Sequence, residues 1–201
     1  DSNQEIFSLE ELVKAFNVRN ISKSPSVFDM NKLRWFNGQY IRAMSPEEFY
    51  RHAEPYLANA ITNRNIDLFK VSRLLQARTE VLSEIPEKVG FLNELSDYDL
   101  NIYVHKKMKT DLKISLDSLK AALPVLEAID TWNEETIHDK LIGLAQELGL
   151  KNGQVLWPVR TALSGWEVTP GGAIEIADLL GKEESLRRIQ IGIERLEKEV
   201  K

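Results

Sequence analysis

Apolar side chains recur along this chain mostly at three- and four-residue intervals, a spacing that gathers them on one face of a helix. In FSLEELVKAF, Leu9, Leu12, Val13 and Phe16 share such a face. Ser8 and Glu11 have the spacing of a capping box, and Phe7 and Leu12 can staple the start, so the stretch predicts a helix of about three turns. In SKSPSVFDMNKLRWFNGQYIRAM, Pro25 predicts an extended segment, Asp29 a helix N-cap and Gly38 a stop. SPEEFYRHAEPYL repeats the start signal, with Ser45 as cap, Pro46 at the first helical position and Glu48 placed to close the box.

The middle of the chain continues the pattern. IDLFKVSRLLQARTEVL sets Ile66, Phe69, Leu74, Leu75 and Val81 near one stripe and leaves Lys70, Arg73 and Arg78 largely off it. SLDSLKAALPVLEAI is a further amphipathic stretch, expected to bend or break at Pro124. From about residue 126 the helices shorten. Asn133 begins one that ends at Gly149, Thr169 and Pro170 begin one that ends at Gly181, and KEESLRRIQIGIERLEKEV forms the last. Alternation of the strand type occurs only in LNIYV. The pattern predicts an all-α fold, a multi-subdomain bundle or cage of short helices, divided into residues 1–60, 61–125 and 126–201.

Composition sharpens this picture mainly by exclusion. A chain of 201 residues with 43% hydrophobic side chains can bury one large core or two to three small ones. It contains no apolar run near the eighteen or so residues a membrane helix needs, and no leader-like start, so no membrane partner is expected. With no cysteine it has no disulfide, no thiolate nucleophile and no zinc site built on sulfur, which fits a cytoplasmic setting. The net charge is −5: residues 1–60 carry seven Lys/Arg against eight Asp/Glu, 61–124 ten against nine, and 125–201 nine against fourteen. That balance argues against DNA as a partner, yet a helix can still segregate a local basic face. The chain opens at Asp1 and runs straight into a helix signal, so a piece of a longer protein is expected.

Few residues suggest chemistry. His52, His105 and His138 are far apart, and no two have the spacing that binds a metal from one helix face. Acidic pairs such as Asp97 and Asp99, or Glu134 and Glu135, are the stuff of helix caps. KNGQ and TPGG follow no strand and are too short to cradle a phosphate, and KSPS and KMKT are lysine-containing scraps. One segment stands apart: GQVLWPVRTALSGWEVTPGG, residues 153–172, packs two tryptophans, two prolines, four glycines and an arginine into twenty positions. Trp157 and Arg160 share a helix face, and an arginine beside an aromatic ring suits unstacked bases. Thr169 and Pro170 would start a helix whose free N–H groups, beside Gly171 and Gly172, can approach an anionic partner. On composition alone, both tryptophans read more readily as core and the glycines as aids to close packing.

PVRTALSG followed by TPGG and IADLLGKEESLRRI, together with LLQARTEVLSEIPEKVGFL and the earlier SKSPSVFDMNKLRWFNGQYIR, resembles the carboxy-terminal portion of bacterial-type glutamyl-tRNA synthetases, class I aminoacyl-tRNA synthetases. The likeness covers nearly the whole chain, with its blocks in the family's order. It implies the end of a stem-contact region over 1–60, then helical anticodon-binding subdomains over 61–125 and 126–201. The HIGH-like and KMSKS-like signatures of the family's catalytic domain are not in this sequence. Catalysis with ATP and magnesium is therefore expected of a region outside this chain, which should need no cofactor and be inert towards ATP and glutamate. The implied partner is the anticodon arm of tRNA-Glu, bound by a monomer. By the same resemblance Arg78 matches the arginine that reads the third anticodon base; Arg160, Thr169, Pro170 and Gly172 match the region touching the splayed bases. Lys32 and Trp35 match positions near the anticodon stem. The open alternatives are a parent enzyme that also charges tRNA-Gln, and a helical protein-interaction module.

Overall fold

The computed structural model describes residues 4–21 and 27–200. The extended segment expected at Pro25, and KSPS with it, lie outside the described residues. Among those described the chain is all-α: α1 (Leu9–Ala15), α2 (Met30–Ala43), α3 (Pro46–Ala60), α4 (Leu68–Gln76), α5 (Leu112–Glu127), α6 (Glu134–Glu147), α7 (Asn152–Ser164), α8 (Ala173–Leu180) and α9 (Lys182–Glu199), joined in places by short 3-10 turns. Four of the start signals read from the sequence cap their helices, although Ser45 and Glu48 make no reciprocal box. Ser8 and Glu11 form a reciprocal capping box, the Asp29 carboxylate accepts from the N–H groups of Asn31 and Lys32, and Ser45 accepts from Glu48 N–H. Asn133 pairs reciprocally with Thr136 at the start of α6.

Stop signals fare worse. Gly38 does not end α2; it is buried mid-helix, where a Cβ would come within 3.1 Å of the Glu80 side chain, so its smallness serves close packing. Pro124 does not break α5: the helix runs on to Glu127 because Leu119, Ala122 and Leu126 are fully buried along it. Burying those side chains outweighs one missing backbone hydrogen bond. The helix expected through Val81 stops at Gln76, where the Thr79 hydroxyl turns back to donate to Leu75 O. LNIYV is no strand. Asp99 caps a 3-10 turn over Leu100–Tyr103 that drops Tyr103 into the core.

Most helices bury one face in a common apolar interior. α3 lays Phe49, Ala53 and Leu57 on α4, and α5 packs against α6, α7 and α9. The division expected near 125 thus falls inside α5, a helix that packs with the later elements. α7 and α9 approach closely at Gly192, where a Cβ would sit 2.7 Å from the Tyr103 hydroxyl and 3.1 Å from Ala162 Cβ. In contrast, α1 buries none of its residues, and Leu9, Val13 and Phe16 remain exposed.

One buried charge ties this interior together. Arg188 of α9 is wholly buried, and its guanidinium donates to Phe91 O and Leu163 O, each at 2.7 Å, and pairs with Glu184 at 2.6 Å. Phe91 lies in the irregular stretch between α4 and α5, and Leu163 in the last turn of α7. Arg187 also holds Glu184, and its hydrogen bond, followed by that of Arg188, keeps the carboxylate below the ordinary glutamate range.

Arg188→Met should strip both carbonyls of their donor and destabilise the fold by roughly 3 kcal/mol. For a chain of this size that is a fall in Tm of roughly 6–12 °C, read by circular dichroism. The lowered Glu184 carboxyl contributes stability that is present above its unfolded pKa and lost as pH falls through its folded value. Denaturant titrations between about pH 5 and 3 should therefore show a shallower acid decline in Glu184→Gln than in the wild type.

Candidate nucleic-acid interface

The end of α4 is built to present a cation. Asp67 caps the helix start by accepting from Phe69 and Lys70 N–H, and Val71 and Leu75 anchor its inner face. Beyond Gln76, buried Thr79 pulls the backbone inward, which leaves Arg78 exposed on the last turn. Its guanidinium makes no hydrogen bond or ion pair with any described residue. The Arg78 carbonyl accepts from Lys88 Nζ at 3.0 Å, so a second cation is fixed beside it.

Facing Arg78 is the loop from α7 to α8. Gly165 ends α7 with φ +65, and a Cβ there would lie 2.6 Å from the Tyr98 ring, so both backbone and space call for glycine. Trp166 then packs edge-on against Phe91 at 5.2 Å between ring centroids. Glu167 and Val168 are exposed, Val168 at 80%, while Thr169 and Pro170 are buried in the chain. Together Leu75, Arg78, Lys88, Trp166, Val168, Thr169 and Pro170, with Glu87, line a cleft of about 400 Å³. An open cation at one rim and an aromatic and apolar wall opposite can hold a flat, partly anionic group.

Arg160 stands behind that wall. Its Nη1 donates to Thr169 Oγ1 at 2.9 Å, its Nη2 to Glu167 O at 2.8 Å, and its guanidinium stacks over Trp157 at 4.1 Å. Burial disfavours its charge and lowers its pKa. Trp157 and Arg160 thus share a face as expected, but they stack on each other, and the guanidinium is already occupied by the loop it supports. Thr169 does not start α8. Its hydroxyl donates to Gly171 O at 2.7 Å, bracing the turn, and Gly172 is the N-cap. Nor is the helix start free: Gly172 N–H donates to the Glu175 carboxylate at 3.0 Å.

The fold therefore brings Arg78, Thr169 and Pro170 to one cleft, puts Arg160 behind it and Gly172 just past it. Lys32 and Trp35 sit elsewhere, on α2. Lys32 pairs with Glu5 at 2.9 Å across an exposed surface, and Trp35, 41% exposed, rests edge-on against Phe36. Sequence reasoning gave no role to Lys88 or Trp166, because residues 82–92 are a run of 3-10 turns with no helical period, and Trp166 sits in a loop. A larger concavity of about 580 Å³ lies between Asn93 and the start of α9, where Asp178 pairs with Lys70, and Glu184 with Arg187 and Arg188. Among the described residues no set of His, Asp and Glu side chains is arranged as metal ligands, and no helix is long and apolar enough to cross a membrane.

Comparison with known proteins gives these residues a setting. The family model described as an anticodon binding domain matches residues 48–193. The chain is similar to the glutamate–tRNA ligase of Clostridium tetani, 57% identical over 199 residues, covering 99% of this chain and 41% of that protein. It is 56% identical to the glutamate–tRNA ligase of Clostridium acetobutylicum over 198 residues, covering 98% of this chain and 41% of the relative. It thus spans about two fifths of the length of the curated relatives it matches. A crystal structure of a glutamate tRNA ligase from Elizabethkingia meningosepticum in complex with its amino acid superposes with a TM-score of 0.79 at 26% identity, over 96% of this chain and 38% of the other. The glutamate-tRNA synthetase of Elizabethkingia anophelis gives 0.74 at 25% identity, over 96% and 37%.

If Arg160 holds the wall in place, Arg160→Met should speed amide hydrogen exchange across residues 166–171 while leaving α5 and α9 unchanged. A double-mutant cycle with Thr169→Val should return a coupling of about 0.5–3 kcal/mol in chemical denaturation.

Proposed function

The chain belongs to the anticodon-binding-domain family, and on that premise we propose that it is the anticodon-recognising part of a glutamate–tRNA ligase, binding the anticodon arm of tRNA-Glu. The observation that carries this reading is an exposed Arg78 with no partner in the described chain, held at the rim of a cleft whose opposite wall is aromatic and apolar.

In this reading the anticodon bases leave their stack and enter the cleft. Arg78 reads the third of them with paired N–H donors, and Lys88 contributes charge from a fixed position beside it. Trp166 and Val168 offer surface on which a base can lie. Arg160 acts by shaping the wall, since its two terminal nitrogens already donate to Thr169 and Glu167. An arginine fork on a base edge and a stacked ring are each worth on the order of 1–3 kcal/mol, so a few side chains suffice for one or two decades of discrimination.

Lys32 and Trp35 belong, on this proposal, to the contact with the anticodon stem. The Lys32–Glu5 pair is half exposed on both sides. Such a pair contributes little, about 0–1 kcal/mol, so a phosphate can displace the carboxylate and fix register without reading sequence. Glutamate activation, with its ATP and magnesium, is assigned to a part of the protein outside this chain. The setting proposed is the cytoplasm and the working unit a monomer.

Arg78→Gln should weaken binding of an anticodon stem-loop by roughly tenfold or more when the third anticodon base is the cognate one, and far less for a stem-loop altered only there. Filter binding or fluorescence anisotropy with the two RNAs reads the difference. An equal loss on both RNAs would refute the assignment.

A further inference from the structure

KMKT, which had no evident role in the sequence, lies in a tight turn at the other end of α7. His105 and Thr110 pair as an isolated antiparallel bridge, through N–H to O contacts of 3.1 and 3.2 Å, and Lys106–Lys109 form the turn between them. Met108 N–H donates to His105 Nδ1, buried Thr110 donates to Tyr103 O, and the Met108 sulfur fills the space that a side chain at Gly153 would need. Gln154 then joins the turn to α7, accepting from Lys151 N–H at 3.1 Å and donating to Lys109 O at 3.2 Å. The result is four exposed lysines, Lys106, Lys107, Lys109 and Lys151, on one braced platform. None forms an ion pair with a described residue. Just after the turn, Asp111 caps α5 and Asp117 pairs with Lys113, while Glu147, four residues before Lys151, is exposed.

Two observations connect this platform to the cleft. Lys151, Gln154, Trp157 and Arg160 follow one another at three-residue steps from the N-cap along α7, a line about 13 Å long that winds half-way around the helix between Lys151 and Arg160. The contacts along it are continuous: the His105 ring lies 4.0 Å from the Trp157 ring, Arg160 stacks on Trp157, and Arg160 holds the Thr169 wall. In addition Lys109 has φ +58, a left-handed conformation that glycine adopts more readily than lysine. A cation is present at the position where the backbone favours no side chain at all.

We infer that the lysine turn over 105–110, with Lys151, is a second contact for RNA, binding phosphates of the strand that leads away from the bases in the cleft. This rests on the reading of the cleft as an RNA site and extends it along α7. Lysine ammonium groups on a braced turn, with the His105 ring packed against Trp157, suit phosphate charge and carry no base preference. The site would supply affinity and register in a chain whose net charge of −5 opposes RNA elsewhere.

The test compares the wild-type chain with a Lys106→Gln, Lys107→Gln, Lys151→Gln triple variant and with Lys109→Gly, using a seventeen-nucleotide anticodon stem-loop, about a short stem and a seven-base loop, across a series of potassium chloride concentrations. The triple variant should lose about two from the slope of log affinity against log salt and bind roughly tenfold more weakly at low salt, with the preference for the third anticodon base unchanged. Lys109→Gly should weaken binding while holding or raising Tm, which separates charge from folding. An unchanged slope with wild-type binding intact overturns this inference and spares the reading of the cleft. Failure of the wild type to bind the stem-loop overturns both. Loss of binding to a polyglutamate peptide in the triple variant, with RNA binding unaltered, overturns it in favour of an acidic protein partner.

Discussion

The geometry of the cleft depends on a single guanidinium placed where water cannot reach it. Moving a charged group out of water costs several kcal/mol unless its donors find acceptors of good geometry. Arg188 finds three through Nε and Nη1, the Glu184 carboxylate and the carbonyls of Phe91 and Leu163, which leaves Nη2 without a partner among the described residues. Those carbonyls belong to the two segments that periodic helix packing cannot position, the chain of 3-10 turns carrying Lys88 and the end of α7 that leads into the Trp166 loop. Apolar burial brings the helices together without specifying direction, whereas this hub fixes how the irregular pieces between them sit. Phe91 against Trp166 carries the registration on to the wall of the cleft.

From that hub the binding side follows by short steps. The loop after α7 is fastened from beneath by Arg160 through Thr169 and Glu167, and Lys70 of α4 reaches Asp178 of α8 at 2.6 Å. The helix that leads into Arg78 and the helix that follows the loop are therefore linked directly. Arg78 can remain uncommitted because its neighbours are not. Pre-ordering of this kind lowers the conformational entropy lost on binding, which matters where only a few side chains discriminate.

Much of the fold was legible because local rules and global packing agree in it. Ser8, Asp29, Ser45 and Asn133 cap the helices they precede, and the apolar periods of α3, α5 and α9 point inward. Legibility failed where packing overrode local preference. Gly38 and Pro124 are helix breakers by propensity, yet they lie inside helices whose buried faces dominate. The site divides the same way. Arg78 could be singled out because it lies off the apolar stripe and matches a family position, but Lys88 and Trp166 belong to stretches without a period. The sequence also could not tell that Arg160 would turn towards its own loop, because Thr169 comes within its reach only through the left-handed turn at Gly165.

That turn narrows where variety can enter. Gly165 admits no other side chain, Thr169 and Pro170 are enclosed, and Trp166 is wedged against Phe91, so within the wall only Glu167 and Val168 face outward unconstrained. Two adjacent side chains, one acidic and one branched, are thus the part of this surface free to drift or be re-tuned, while their surroundings hold the frame constant.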